Sequence, residues 1–397
     1  MKTREVLSKI TAGLRDRGLK YPFQAVVNEL RYPRLSVTRH LRKIIIRTGD
    51  TFRATPRNDT AWSEDSLLFV YDLRVSPVTF DFASYLAAAE IERRLRGLAA
   101  INVVFITGTD IKIRQEQPDY EAVLDRDARL FRFHNVILPM LRILPSIRGY
   151  AQCGNLKMAE ALLAASPDRH LYPADYRLFL PRQPSKRDLF DHARAGREIW
   201  PMYSATAKAR TYVREFLQQK AANRLPVVIT LRNYDYMPVR NSRNEDWIAF
   251  ADRLDRDKYV PIFVHDAETI MRPRLPGFAD HISCDAASWN LEIRVALFEQ
   301  AWLNLATMHG PMELCWYLSD ARYVVFLNVG SVPQTEPARF EENGQTVGED
   351  FDFCQPYQHI AWCEDSLVNI HTEFERMKKI IGPTPDGPVH QIKTPNV

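Results

Sequence analysis

Between Leu67 and Gly108 the sequence passes from a continuous apolar segment, LLFVYDL, through an amphipathic stretch, TFDFASYLAAAEIERRLRGL, into a second apolar segment, INVVFITG. A strand buried on both faces reads as an unbroken apolar run, and two parallel neighbours need a helical crossover between them. The segment therefore predicts a β-α-β unit with a right-handed crossover, and with it the beginning of a doubly wound sheet.

The alternation returns in the C-terminal half. It predicts a helix over 205–222, a strand PVVITL from Pro226 to Leu231, a helix NEDWIAFADRLD and a strand YVPIFVH. A long helix WNLEIRVALFEQAWLNLAT, a helix GPMELCWYLS, a strand YVVFLNV and a closing helix DSLVNIHTEFERMKKII follow, the last capped by Asp365 and Ser366. Prolines punctuate residues 120–190, where helix is predicted only around Val136 and over 157–165. A chain of 397 residues exceeds what one hydrophobic core usually organises. The expected class is α/β, with two facing Rossmann-like domains and a basic helical N-terminal arm. The arm covers 1–60, the first domain 61–200, the second 201–385 and a tail 386–397, with the domain boundary near Trp200 to Ser204.

Charge is unevenly spread. Residues 1–57 hold fourteen Lys or Arg against four Asp or Glu, so this arm carries +10 and the remainder −6. Short amphipathic helices are predicted over 3–15 and 22–30, followed by loop to about Ser66. Such an arm suits an anionic membrane surface or nucleic acid; a set of solvated helix faces is the plain alternative. The five cysteines are widely spaced, with no C-x-x-C pair and no zinc spacing, and read as buried thiols in a reducing compartment. The start, MKTREVLSKITAGLRDRG, has no apolar h-region, and no segment is apolar enough to span a bilayer. A cytoplasmic protein is expected, peripheral on the inner membrane face if the arm binds lipid.

In open parallel sheets ligands bind beyond the carboxyl ends of the strands. Four loops qualify. After PVVITL comes RNYDYMPVRNSRNEDW, with Arg232, Arg240 and Arg243 beside Asn241 and Ser242; Ser242 and Glu245 have capping-box spacing. Arginine forks at a helix start suit a phosphate, whereas pairing with Asp235, Glu245 and Asp246 would make them structural. After YVPIFVH, Asp266 can bond a sugar or ribose hydroxyl or cap a turn. His309, Gly310 and Pro311 precede a short helix, where Gly310 permits close backbone approach, Pro311 suits a first helical position and Glu313 can accept from a diol. After LLFVYDL, Asp81 and Asp72 are candidate general bases toward an acceptor hydroxyl, although Asp81 or Thr79 can equally cap the helix.

The chain has no Walker A loop, G-x-G-x-x-G, H-E-x-x-H or G-x-S-x-G motif, and no Asp-x-Asp triplet at a strand end. Triphosphatases, common dehydrogenases, zincins and serine hydrolases are disfavoured. No metal site and no cofactor are expected, so arginine would neutralise any diphosphate.

The order of VVITLR with its arginine loop, IFVHDAE, a long helix, a His-Gly-Pro turn and YVVFLN resembles the donor half of GT-B glycosyltransferases, most of all the fucosyltransferase-type members. It covers about residues 200–380, with weaker support from 67–108. The resemblance implies that Arg232 holds the β-phosphate of a nucleotide sugar, that Asp266, His309, Gly310 and Pro311 approach its nucleoside and phosphates, and that Glu313 contacts the ribose. The His-x-Arg-x-Gly-Asp signature of those enzymes is absent: Thr230 and Leu231 precede Arg232, and Asn233 to Asp235 replace the glycine segment. The expectation is a metal-independent, inverting glycosyltransferase with a nucleotide-diphosphate sugar as substrate and a glycan or lipid-linked glycan acceptor, serving bacterial surface polysaccharide synthesis. Its rivals are a nucleic-acid-binding protein using SVTRHLRK in a helix-turn-helix, disfavoured because the core is acidic, and a catalytically inactive GT-B-like binding subunit.

Overall fold

The computed structural model describes residues 20–31, 33, 36–52, 64–107, 113–164 and 170–382. The chain divides into two compact units whose segments interleave in sequence: residues 78–91, 117–145 and 185–397 form one, and residues 1–77, 92–116 and 146–184 the other. The stretch from Trp200 to Ser204 therefore lies inside a unit.

In the unit that contains the N-terminus, four parallel strands, β1 (Ser66–Asp72), β2 (Ala100–Ile106), β3 (Ile147–Cys153) and β4 (Leu171–Tyr172), lie in the order β3-β2-β1-β4. Every residue of β1 and β2 is buried, as their largely apolar sequences require, Ser66, Asp72 and Asn102 being the buried polar exceptions. β3 alternates half-buried with exposed residues at the sheet edge, so its sequence IRGYAQC carries no buried-strand signal.

Two helices, Lys20–Arg31 and Ser36–Phe52, come before this sheet. The first matches the expected helix at 22–30. The second replaces the expected loop, and what anchors it is Arg42, whose guanidinium donates to Asp175, to the carbonyl of Leu30 at 2.8 Å and to that of Leu180 at 2.7 Å. The helix expected over 3–15 and the tail 386–397 lie outside the described residues.

The other unit carries six parallel strands: β5 (Leu225–Thr230), β6 (Tyr259–Val264), β7 (Ile282–Ser283), β8 (Leu303–Thr307), β9 (Tyr323–Phe326) and β10 (Gln358–Ala361). Their order is β10-β9-β8-β5-β6-β7. The chain winds outward from β5 through β6 to β7, then returns to pair β8 on the far side of β5, so the order reverses between β5 and β8. That reversal opens a crevice at the strand ends. Val227, Ile229, Phe263, Leu305 and Phe326 of the strands pack with Trp247 and Phe250 in one core.

The expected long helix over 289–307 is corrected by β8. Helix Leu291–Gln300 stops at Ala301, which is extended, and LNLAT becomes a fully buried central strand. Asn304 disguised it: a polar residue inside an apolar run continues a helical pattern, yet here its amide donates to the carbonyls of Phe298 and Arg322. The helix GPMELCWYLS is shorter than expected, Met312–Trp316. Ser366 caps helix Leu367–Ile381 as expected, accepting from the Asn369 amide, whereas Asp365 turns to Trp247 and Thr307. Cys153, Cys284 and Cys315 are buried thiols and Cys354 and Cys363 half-buried ones. Among the described residues no helix is long and apolar enough to cross a membrane.

Candidate functional site

The loops leaving β5, β6 and β8 enclose a cavity of about 280 Å³ beside the switch point. Arg232 and Arg240 come from the first loop, Asp266 and Glu268 from the second, and His309, Gly310 and Pro311 from the third; Arg294 joins them from helix Leu291–Gln300. Thr79, Phe80, Tyr120, Arg132 and Trp289 complete much of the wall. Because LNLAT is a strand, the His309 turn sits at a strand end like the other two loops.

Three of the arginines have no carboxylate partner within ion-pairing distance among the described residues. Arg232 donates to the backbone carbonyls of Met237 at 3.1 Å and Tyr236 at 2.5 Å and to the side chain of Asn241. Arg240 reaches only the carbonyl of Met308, at 3.5 Å, and Arg294 those of Ala287 and Ser288. Burial lowers the affinity of each for its proton, down to about 10 for Arg232, where Arg240 adds repulsion, and for Arg294. Only Arg132 is paired, with Glu268 at 3.1 Å. A guanidinium taken out of water without a counter-charge is costly, so three around one cavity are chemically suited to an anion.

Two further groups fit that reading. The Tyr234 ring lies near both Arg132 and Arg232, and its enclosed hydroxyl has no hydrogen-bond partner among the described residues. The His309 imidazole is pushed down to about 3, first by burial and then by Arg294, Arg232 and Arg240. Its Nδ1 lies 2.7 Å from the Thr307 carbonyl, which can only accept. The proton is therefore on Nδ1, and Nε2 is an acceptor.

Asn241 and Ser242 shape the loop and do not line the cavity. The Asn241 amide accepts from the Tyr234 N–H and donates to the Tyr234 carbonyl while holding Arg232. Ser242 is not the helix cap its spacing suggested: Arg243 occupies that position without a side-chain cap. The Ser242 hydroxyl accepts from the Arg232 N–H at 2.8 Å and donates to Thr307 at 3.0 Å, tying the β5 and β8 loops together. Arg243 is exposed and paired with Asp246.

Glu313 is buried and turned from the cavity. One of its oxygens accepts from Ser84 at 2.7 Å and the other from Lys186, which also bridges to Asp81. Burial works to raise the Asp81 carboxyl, but the Lys186 ammonium and the Thr79 hydroxyl outweigh it and hold it below the usual range. Asp81 thus stays ionised and half-buried, next to the cavity-lining Thr79. Asp72, in the unit built on β1 to β4, is wholly enclosed and clamped by Arg74 and by the Tyr176 hydroxyl at 2.7 Å.

The sequence reading overlooked Arg294, Arg132, Lys186 and Tyr234. Arg294 follows Glu292 by two residues in LEIRVALF, and nothing in that pattern marks it as turned inward.

No family model matches the chain, and no curated protein matches it. Among solved structures it is similar to a glycosyl transferase family 9 protein from Veillonella parvula DSM 2008, at 12% identity over 83% of this chain and 92% of that one, TM-score 0.43. It is also similar to E. coli ADP-heptose lps heptosyltransferase II, at 10% identity over 78% and 98%, TM-score 0.44, and to the wall teichoic acid polymerase TagF, at 8% identity over 87% and 88%, TM-score 0.31.

Proposed function

We propose that this chain is a glycosyltransferase whose arginine-lined cavity holds the diphosphate of a nucleotide sugar. One observation carries the reading: Arg232, Arg240 and Arg294 line a single cavity at the switch point of a parallel sheet, each without a carboxylate at ion-pairing distance among the described residues. A diphosphate supplies the missing charge, and the same guanidiniums stabilise it as it leaves the sugar. The neutral His309 offers Nε2 to a hydroxyl of the donor. Asp81, held ionised and bonded to the cavity-lining Thr79, accepts the proton of an acceptor hydroxyl as that oxygen attacks the anomeric carbon from the opposite side, an inverting displacement. Lys186 contacts both Asp81 and Glu313, so a proton taken up by Asp81 leaves Lys186 paired with Glu313. A glycan or lipid-linked glycan is the acceptor class; the resemblance to fucosyltransferase-type donor halves bears on the nucleotide-sugar site alone.

The test is a thermal-shift screen of UDP, GDP, ADP and CDP. At one hundred times its Kd the correct nucleotide adds about 2.7 kcal/mol of stability. Arg232→Ala should lose that response while melting as one cooperative unit. If none of the four shifts the parent, or if Arg232→Ala responds as the parent does, the cavity is not a nucleoside diphosphate site.

A further inference from the structure

Helix Ser36–Phe52 presents two different faces. Arg42, Ile46 and Gly49 are turned inward: Arg42 is fixed by its bonds to Asp175, Leu30 and Leu180, and a Cβ on Gly49 would stand 2.5 Å from the Phe179 ring. These contacts fix the helix in rotation about its own axis. The opposite face carries Val37, Leu41 and Ile44 at i, i+4 and i+7, with 74%, 43% and 51% of their surfaces exposed. Beside this stripe Lys43 and Arg47 are exposed. The helix has one carboxylate, Asp50, and it is tied to Arg177.

We infer that this outward face of helix Ser36–Phe52 docks the protein on an anionic phospholipid surface. A short apolar stripe flanked by cations is the arrangement that lies in the plane of a membrane interface, the apolar side chains entering the acyl boundary and the cations meeting the headgroups. Nucleic acid would use the cations and leave Val37, Leu41 and Ile44 in water. The inference stands independently of the nucleotide site.

The experiment is co-sedimentation of the full chain with vesicles of phosphatidylcholine alone and of phosphatidylcholine mixed with phosphatidylglycerol. Binding is expected to the anionic vesicles and to weaken with salt. Leu41→Glu should reduce it by about tenfold or more, because a charge is then forced into the acyl boundary. Lys43→Glu should reduce it less and also flatten the salt dependence. Val37→Glu is a second probe of the stripe, and an unchanged thermal melt shows that each variant is folded. The inference is overturned if the parent binds no anionic vesicle or if Leu41→Glu and Val37→Glu both bind as the parent does. It is equally overturned if the parent binds duplex DNA in preference to vesicles and keeps that binding in Leu41→Glu, or if it self-associates through the stripe, forming dimers that Leu41→Glu dissociates while neither sediments with vesicles.

Discussion

The side-chain oxygen of Asn241 accepts a hydrogen bond from the Arg232 guanidinium and another, at 3.0 Å, from the Tyr234 amide. This amide group sets where the guanidinium points without lining the cavity itself. Replacing it by a carboxylate of the same shape would give Arg232 a permanent ion-pair partner. Asn241→Asp gives up the bond to the Tyr234 carbonyl and is therefore expected to melt somewhat lower, yet cooperatively, and to bind the nucleoside diphosphate about tenfold or more weakly, since hydrogen bonds to charged groups contribute about 1.5–3 kcal/mol. Isothermal titration of parent and variant with the same nucleotide decides it. Equal affinities would mean that Arg232 does not hold the phosphates.

Gly310 meets Phe80 so closely that a Cβ on the glycine would lie 2.7 Å from the Phe80 ring. Both residues line the cavity, so the glycine is required by a close approach rather than by backbone conformation. Gly310→Ala should cost about 1–3 kcal/mol in urea unfolding, the usual range for an overpacked site, and should weaken nucleotide binding by displacing the turn. Phe80→Leu in the same chain should recover most of the stability. A double variant as unstable as Gly310→Ala alone would place the strain elsewhere.

Lys186 serves two carboxylates with one ammonium, and they respond in opposite directions. Burial pushes Glu313 up to about 7, with Lys186 opposing and Asp81 reinforcing the shift, whereas Asp81 is held low. Between about 4.5 and about 7 the folded chain keeps a proton on Glu313 that the unfolded chain has released, so this group makes stability fall as pH rises through that window. Asp81 acts the other way, its contribution being lost as pH falls below the ordinary aspartate value of about 3.9. Glu313→Gln should accordingly flatten the decline in melting temperature across the upper window. Parallel melting curves for parent and variant would rule out a protonated Glu313.

Arg232 was legible in the sequence because it directly follows an apolar strand, and the loops after β5 and β6 could be placed by the same logic. The third loop is legible for a poorer reason, since LNLAT reads as more of the helix before it, and only the fold shows Asn304 bonding the carbonyls of Phe298 in that helix and of Arg322 just before β9. Arg294 was not legible: on a helix, an arginine at one position in four reads as the solvated face, and only tertiary packing turns it inward. Lys186 meets Asp81 and Glu313 more than a hundred residues away from it in either direction, and Arg132 and Tyr120 come from the irregular stretch where periodicity gives little. Ser242 shows the opposite failure, a local capping pattern overridden by tertiary bonds to Arg232 and Thr307.

The loops at the switch point are braced from behind by Asp365. One of its oxygens accepts from Trp247 Nε1 at 2.7 Å, Thr307 Oγ1 at 2.6 Å and the Arg243 amide at 3.0 Å. Deleting the carboxylate leaves three donors unsatisfied, at about 1–3 kcal/mol for each that water cannot reach. Asp365→Ala is expected to lose about 3 kcal/mol or more in chemical denaturation, and Asp365→Asn, which retains an acceptor, clearly less. If both variants lose the same amount, negative charge and not hydrogen-bond acceptance is what Asp365 provides.

Arg240 separates an anion site from a structural one by the sign of two measurements. Its guanidinium is desolvated and stands beside Arg232, whose charge it disfavours, and its one hydrogen bond among the described residues is long, at 3.5 Å. Replacing it by methionine keeps much of its volume while removing the repulsion and the cost of a poorly solvated cation. Arg240→Met should therefore melt at the same temperature as the unliganded parent or above it, and yet bind the nucleoside diphosphate about tenfold or more weakly, the scale of one lost charge-assisted hydrogen bond. A structural arginine would behave otherwise, with stability falling and affinity following only as far as the fold is damaged. Melting without ligand and titration of the folded variant, done on the same preparation, distinguish the two.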